Sequence, residues 1–347
     1  MRRFSTIVAI ALATFLSISI CSAQQAATTS VPNPVRDSGT LKDAPGSWTQ
    51  AQVNTSIVNA VAWIDLPAQR HINGSFGPPY PGYPIAQTGM ALVAYSVLAQ
   101  GDFNNLAAYP GYQQHVKDAI NYLLPLQNTA GGWWADSGYN LRTYYTGIVL
   151  AGLSSFQAVP GAPGVPAAIA KGRTFLINEF KGPPGCNSSN GSSTAYYCGG
   201  WNYEDNILEK RSDESNTGWA MFGLQLTGGI PPGPFPGIAD DNINWQHHIQ
   251  EINTNTFFAT RNDGGGDYQP DDPLHNLTCA SLPYICSNAN NTGTMLFGLG
   301  YDKVLRPNSN VDAGLSFGQH ILDVYELEQL QLTYRMVYHT GLIDDGS

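Results

Sequence analysis

The dipeptide Thr-Gly opens four separate apolar runs in this chain, and this repetition restricts the possible folds more than any other feature. The four copies are Thr88-Gly89, Thr146-Gly147, Thr217-Gly218 and Thr292-Gly293. Each run is apolar on nearly all sides, as a buried helix is, and each follows a loop rich in glycine or aromatic residues. Recurrence at such intervals predicts a repeat architecture in which every unit packs against its neighbours.

The second unit indicates what one repeat contains. Residues 115–127 place apolar side chains at helical spacing, which predicts an outer helix with one wet face. A loop around Gly131-Gly132 follows, and Thr146-Gly147 then opens an inner, buried helix. We therefore predict an all-α fold of antiparallel helix hairpins. The expected repeats are 53–100, 113–158, 166–228, 243–300 and a partial fifth, 311–347, which contains a further Thr-Gly pair at Thr340-Gly341.

Each half of the Thr-Gly pair has an expected structural role. Glycine near the start of an inner helix lets neighbouring backbones approach closely. Threonine just before it is expected to cap the exposed N–H groups of the helix. The functional alternative is that the helix N-termini direct partial positive charge into a cavity.

The first 23 residues have the layout of a secretory signal peptide. Arg2-Arg3 precede an apolar stretch, Phe4 to Ile20, and the small residues of Cys21-Ser22-Ala23 suit cleavage. The alternatives are an uncleaved anchor and a lipoprotein attached at Cys21, where the bulky Ile20 fits poorly. Cleavage predicts a secreted, periplasmic or extracellular protein with a flexible linker over 24–52, a repeat domain over 53–347 and no membrane span.

The charge balance argues against one class of partner. The sequence has 16 Lys and Arg against 26 Asp and Glu, a formal net charge of −10, without a basic cluster. Nucleic-acid binding needs clustered Lys and Arg against phosphates, so nucleic acid is not an expected partner. Docking on anionic lipid headgroups is disfavoured for the same reason.

Four cysteines follow the leader in two close pairs. In an exported chain these predict the local disulfides Cys186–Cys198 and Cys279–Cys286, although four cysteines allow three pairings. A zinc site is the functional alternative, but neither pair has C-x-x-C spacing. We expect no metal and no cofactor, and we expect each disulfide to hold an insertion beside a repeat loop.

One short motif recurs before the inner helices. The second unit contains it most fully, as Lys117, Tyr122-Leu123, Gln127, Gly131 and Trp133. The first unit keeps Trp63-Ile64, Gln69, Gly74 and Phe76; the third keeps Lys171-Gly172, Phe175-Leu176 and Gly200-Trp201, with Phe180 in place of Gln; the fourth keeps only Phe257-Phe258 and the glycines. The pattern resembles the repeats of squalene cyclases and protein prenyltransferases, over about residues 53 to 326.

This resemblance implies an α/α toroid of concentric inner and outer helices around a central cavity, with at least four repeats and a ring that is either closed or incomplete. It does not extend to the family's known chemistry. The acidic pairs Asp240-Asp241, Asp271-Asp272 and Asp344-Asp345 do not form the D-x-D-D motif of alkene-protonating cyclases. The Asp/Cys/His zinc set of the prenyltransferases does not fit disulfide-bonded cysteines, and the Cys-Gly-Glu-Gln stretch of thioester toroids is absent.

Candidate functional residues concentrate in two loops that precede inner helices. The expected ligand-binding residues are Trp133, Trp134, Trp201, Tyr203 and Glu204, and the candidate catalytic carboxylates are Asp136, Asp205 and Asp213. Aromatic platforms beside carboxylates suit sugars, and aromatic linings suit isoprenoids. The structural alternative is that Trp133 and Trp201 are wedges between repeats, and that Asp213 with Glu214 are charges at a helix start.

Two functions remain open from the sequence. The first is an exported binding or interaction module that holds an isoprenoid, lipid or glycan in an aromatic-lined cavity. The second is an exported enzyme, either terpene cyclase-like or a carbohydrate-active lyase or hydrolase, that uses the loop carboxylates as acid or base. Because the catalytic motifs are missing, the first is favoured.

Overall fold

A computed structural model of the chain describes residues 50–77, 83–134, 141–180, 199–203, 212–229, 245–246, 249–250, 265–267, 289–301 and 308–315. These residues are predominantly helical and contain no named strand, which confirms the all-α prediction for this part of the chain. The helices are α1 (Gln50–Ile64), α2 (Pro84–Leu98), α3 (Tyr112–Leu123), α4 (Arg142–Leu153), α5 (Val165–Glu179), α6 (Glu214–Leu226) and α7 (Ala289–Tyr301). A further helical stretch covers 309–315.

The first helix begins earlier than the sequence suggested. α1 starts at Gln50, inside the segment that was expected to be a linker, and its first residues are Gln, Ala, Gln and Val. Alanine and glutamine are good helix formers, and Val61 farther along is completely buried, so packing reinforces local preference.

The four helices that carry Thr-Gly pack together in chain order. α4 lies between α2 and α6, and α7 packs on α6. α2, α4 and α6 are buried on nearly all sides, as predicted for inner helices. The more polar helices cover them, since α1 and α3 pack on α2 whereas α5 packs on α4 and α6.

Glycine allows these buried helices to approach at the backbone. A Cβ atom on Gly147 would clash with the carbonyl oxygen of Trp219, and a Cβ atom on Gly223 would lie 2.5 Å from the carbonyl oxygen of Gly147. The same reciprocal contact joins α2 to α4, where a Cβ atom on Gly152 would clash with the carbonyl oxygen of Gly89. Close backbone approach is therefore confirmed for Gly89 and Gly147, with a second glycine on the next helix completing each contact, whereas a Cβ atom on Gly218 would meet the side chain of Thr294.

Threonine has a role different from the expected cap. α4 begins at Arg142, so Thr146 lies inside the helix, where its hydroxyl accepts a hydrogen bond from the backbone N–H of Trp133 (2.9 Å). The same contact recurs from Phe76 to Thr88 (2.9 Å), from Trp201 to Thr217 (3.0 Å) and from Gly266 to Thr292 (2.9 Å). Each threonine fastens the preceding loop to the side of its own helix, and the side-chain cap of α6 comes from Asp213 instead.

Replacing Thr146 with Val is expected to lower the free energy of unfolding by about 1–3 kcal/mol, because the buried N–H of Trp133 loses its acceptor at nearly constant side-chain volume. Urea denaturation measures the change. Thr174→Val is the matched control, since its hydroxyl bonds to the carbonyl of Ala170 on an exposed face, and we expect a change within about 0.5 kcal/mol. Similar losses in both variants would contradict the role assigned to Thr146.

A side chain at the start of each loop ties one unit to the next outer helix. The Nε2 of Gln127 donates to the carbonyl oxygen of Ala168 in α5 (2.8 Å), and the Nε2 of Gln250 donates to that of Asn310 (2.7 Å). Gln250 thus holds the motif position of the fourth unit, which the sequence comparison had not located. In the second and fourth units, the backbone of this glutamine pairs with that of Trp133 or Gly266 across the loop. In the first unit, Arg70 rather than Gln69 makes this pairing, with Phe76.

Candidate functional site

Four half-buried aromatic side chains collect where α4 and α6 begin. We call Trp134, Tyr144, Tyr203 and Trp219 the aromatic ledge. The rings of Tyr144 and Tyr203 stack with centroids 6.3 Å apart, and Trp219 meets Tyr144 edge-on at 5.9 Å. The guanidinium of Arg142 lies 4.7 Å above the ring centre of Trp134, within the range of a cation–π contact.

Buried tryptophans position the two loops that supply the ledge. Trp133 and Trp201 are both fully buried, and their indole N–H groups donate to the carbonyl oxygens of Leu123 (2.8 Å) and Leu176 (2.7 Å). Their backbone N–H groups are the ones held by the threonines of α4 and α6. Because each loop is fixed at its tryptophan, the residues that follow, Trp134 and Tyr203, lie near the first turns of α4 and α6.

A short hydrogen-bonded chain joins the ledge to Asp213. The hydroxyl of Ser215 donates to Oδ1 of Asp213 (2.7 Å), because an ionised carboxylate can only accept. Ser215 has a single hydroxyl proton, so the contact between the oxygens of Tyr203 and Ser215 (3.0 Å) must be donated by Tyr203. Asp213 also accepts from the backbone N–H of Asn216 (2.9 Å), as an N-cap does. Asp213 is thus a buried anchor behind the ledge.

The neighbouring Glu214 is completely buried and only partly satisfied. Its Oε2 accepts a hydrogen bond from the indole of Trp245 (3.0 Å), whereas its Oε1 has no hydrogen-bond partner among the residues that the structure describes. Burial raises the pKa of Glu214 well above its ordinary value; hydrogen bonds from Trp245 and Gln246 oppose this, and the adjacent Asp213 adds to it. The side chain therefore holds its proton under conditions in which an exposed glutamate is ionised.

The tyrosines at this end of α4 remain protonated at neutral pH. Burial, with smaller contributions from Tyr83 and Tyr122, raises the pKa of Tyr145 to about 12. Burial also raises the pKa of Tyr144, and nearby Tyr203 adds to the effect. The ledge consequently offers aromatic faces and neutral hydroxyl groups, with Arg142 as its cation.

The structure brings together only part of the predicted site. Trp134 and Tyr203 lie in the ledge, Asp213 lies behind it, and Trp133 and Trp201 lie in the core. Glu204, Asp136, Asp205 and the cysteines Cys186, Cys198, Cys279 and Cys286 lie outside the described residues.

Sequence reasoning missed Arg142, Tyr144, Trp219 and the unusual state of Glu214. The available signal was their position relative to the threonines, since Arg142 and Tyr144 lie four and two residues before Thr146, and Trp219 lies two residues after Thr217.

A second polar cluster joins α1, α2 and α3 through Asp65, Arg70, Tyr95 and His115. The Nδ1 of His115 lies 2.7 Å from Oδ1 of Asp65, which also accepts from the hydroxyl of Tyr95. Arg70 can only donate, so Nε2 of His115 is the acceptor in their contact (3.1 Å), and Nδ1 faces Asp65. Both ring nitrogens of His115 are engaged, which makes this cluster a structural tie between three helices.

Comparisons with known proteins do not identify the function of this site. The chain matches no protein-family model and no curated protein sequence, so the resemblance to cyclase and prenyltransferase repeats stays a prediction. Within the described ranges, no group of three or more His, Cys, Asp and Glu side chains is placed to hold a metal ion. No helix in the same part of the chain has the length and apolarity to cross a bilayer.

Proposed function

We propose that this protein is an exported binding module whose aromatic ledge holds a ligand. The observation that carries the proposal is the convergence of half-buried rings from two successive units at the starts of adjacent helices, where Tyr144 contacts Tyr203 and Trp219 and Arg142 covers Trp134. Fully buried rings are accounted for by packing, whereas half-buried rings beside hydroxyl groups are typical of ligand sites.

Among an isoprenoid, a lipid and a glycan, the ledge suits a glycan best. Sugars present apolar ring faces that stack on aromatic side chains and hydroxyl groups that need hydrogen-bond partners. The ledge supplies ring faces at Tyr144 and Tyr203, and the guanidinium of Arg142 lies beside it. An isoprenoid presents no hydrogen-bonding groups to the polar side chains that border these rings, whereas a glycan does.

The architecture that we propose for the whole chain is the α/α toroid of the resemblance. The packing of the Thr-Gly helices in chain order, under a layer of more polar helices, supports this architecture. Export, signal-peptide cleavage and the disulfides Cys186–Cys198 and Cys279–Cys286 belong to the same proposal and rest on the sequence.

A glycan and lipid binding screen on the mature protein tests this function. The double variant Trp134→Ala with Tyr203→Ala removes two ledge rings, each of which contributes about 0.5–1.5 kcal/mol as an aromatic contact. We expect the affinity for the bound ligand to fall by about tenfold or more. Tyr109→Ala is the matched control, a half-buried ring stacked on Tyr112 at 5.5 Å away from the ledge residues, and it should bind as the parent does. Equal binding by the parent and the double variant would contradict the proposal.

An enzyme remains the second candidate because two consecutive carboxylates, Asp213 and Glu214, are buried beside the ledge. Asp213 accepts hydrogen bonds and the buried Glu214 keeps its proton, and a protonated carboxyl beside a second carboxyl group is an arrangement that acid–base catalysis uses. The same screen followed for product formation separates the two candidates. Turnover that is lost in Glu214→Gln while binding persists would favour the enzyme, and binding without turnover between pH 4 and 8 favours the module.

A further inference from the structure

The triplet Asn73-Gly74-Ser75 has the N-x-Ser/Thr pattern of an asparagine that accepts an oligosaccharide in a secretory compartment. The other triplets of this kind begin at Asn54, Asn187, Asn190, Asn276 and Asn290. Those that begin at Asn187, Asn190 and Asn276 lie outside the described residues. A pattern this short occurs often by chance, so its surroundings decide whether it can serve as an acceptor.

Asn73 lies at the exposed tip of a tight turn between α1 and α2. The backbone N–H of Gly74 donates to the carbonyl oxygen of His71 (2.9 Å), and the N–H of His71 donates to the carbonyl oxygen of Ser75 (2.9 Å). The turn requires glycine at position 74, because Gly74 has φ +87° and a Cβ atom there would clash with the carbonyl of Asp118. The acceptor asparagine is therefore presented at the surface by a fixed backbone.

The side chain of Asn73 is arranged for reaction at its nitrogen. Its Oδ1 accepts two hydrogen bonds from Ser75, one from the backbone N–H (3.1 Å) and one from the hydroxyl (2.8 Å). These bonds fix the orientation of the carboxamide through Oδ1 and do not involve Nδ2, the atom that would carry a sugar. Within the described part of the chain, Nδ2 itself makes no hydrogen bond.

The two other triplets in the described residues lie in different surroundings. Asn54 is inside α1, and the triplet of Asn290 is inside α7. The hydroxyl of Thr292 in the latter triplet is buried and accepts from the N–H of Gly266. Asn54 and Asn73 are both exposed, but Asn73 lies in a turn, where it accepts a hydrogen bond from the serine hydroxyl of its own triplet.

Two apolar side chains in the loop that contains Asn73 are exposed to solvent. Ile72 is fully exposed, and Leu66 in the same loop is 45% exposed. A glycan on the neighbouring asparagine would shield these apolar side chains from water and from other proteins.

We propose that Asn73 carries an N-linked glycan, an inference that rests on the export included in the proposed function. The donor class is an oligosaccharide joined through pyrophosphate to a lipid. A bond forms between Nδ2 of Asn73 and the anomeric carbon of the first sugar, and the bond from that carbon to the pyrophosphate oxygen breaks. The pyrophosphate leaves with the electron pair, and Nδ2 loses one proton.

Expression of the full chain with its own leader in yeast tests this inference. The secreted protein is treated with an amide-cleaving glycosidase in heavy-oxygen water, which converts a glycosylated asparagine into labelled aspartate that peptide mass spectrometry detects. We expect label at Asn73, and we expect Asn73→Gln to migrate faster by one glycan-sized step. Asn128 is the internal control, since it lies in the equivalent loop of the second unit but has Ala130 two residues later, and it should stay unlabelled.

A second version with an unrelated, proven leader separates the two proposals. If only the proven leader gives secreted protein and Asn73 is labelled in it, the export proposal fails and the glycan site stands. If the protein is secreted with either leader but Asn73 is unmodified, the glycan proposal fails and export stands.

Discussion

Replacing Gly147 with Ala is expected to lower the free energy of unfolding by about 3 kcal/mol, the upper part of the range for overpacked sites. In an exposed helix the same change stabilises by up to about 1 kcal/mol, because alanine is the better helix former. Whether Gly147→Ala raises or lowers the free energy of unfolding therefore shows whether the site is tightly packed. The added Cβ atom would meet the carbonyl oxygen of Trp219 on α6, which is backbone and cannot move aside as a flexible side chain can.

The contact is reciprocal, which makes relief by a small shift unfavourable. Moving α6 away from Gly147 would also separate Gly223 from the carbonyl oxygen of Gly147, and α4 is held on its other side by Gly152 against Gly89. Close-packed helices transmit such a displacement instead of absorbing it. We therefore expect the loss of stability to appear as a lower midpoint of urea unfolding, with no change in the dependence of the unfolding free energy on urea concentration (the m value).

Gly164→Ala is the matched control for this prediction. Gly164 has φ −78°, and a Cβ atom there would lie 3.6 Å from the side chain of Leu124, an ordinary contact distance. We expect its stability to stay within about 0.5 kcal/mol of the parent. If Gly147→Ala were as stable as Gly164→Ala, the two inner helices would not be in backbone contact at this point.

The Thr-Gly pairs predicted the buried helices well, because an all-apolar run depends on local sequence. The glycine of the pair was also interpreted correctly, since close approach is the common reason for glycine in a buried helix. The hydrogen bond from Trp133 to Thr146 was not predicted, because a threonine near a helix start is ordinarily read as a cap. Its actual partner is a backbone N–H, which leaves no trace in residue identity.

The fourth unit and the candidate site were harder to read for a related reason. Gln250 pairs with Gly266 and reaches Asn310, and these contacts span long stretches of sequence. At the site, Trp134 and Tyr203 were found because they follow recognisable tryptophans. The role of Arg142 depends on α4 lying beside α6, and the state of Glu214 depends on burial by the unit of Trp245. Neither can be deduced from one unit alone.

Replacing Glu214 with Gln is expected to stabilise the protein at pH 8 and to leave its stability nearly unchanged at pH 4. The native carboxyl keeps its proton because burial raises its pKa, whereas the unfolded chain releases it with a pKa of about 4.3. The native state thus binds more protons, and stability falls as the pH rises above about 4.3. Glutamine is neutral at every pH and can still accept from the indole of Trp245 through its amide oxygen.

The difference in free energy of unfolding between Glu214→Gln and the parent should therefore widen with pH. Its slope is at most about 1.4 kcal/mol per pH unit, and it levels off where the native carboxyl ionises. Thr143→Val is the matched control: Thr143 occupies the same position before its Thr-Gly pair in α4, and its buried hydroxyl also lacks a partner in the described part of the chain. Because threonine does not titrate, the effect of this variant should be independent of pH.

Urea unfolding of the three proteins at pH 4, 6 and 8 measures these differences. A difference for Glu214→Gln that is constant with pH would show that the carboxyl titrates alike in the native and unfolded chains. Glu214 would then be ionised at neutral pH, and the proton-holding acid on which the enzymatic alternative depends would be absent. A difference that widens with pH would leave a neutral carboxyl at Glu214 beside Asp213, and the choice between module and enzyme would then rest on whether a bound ligand is converted.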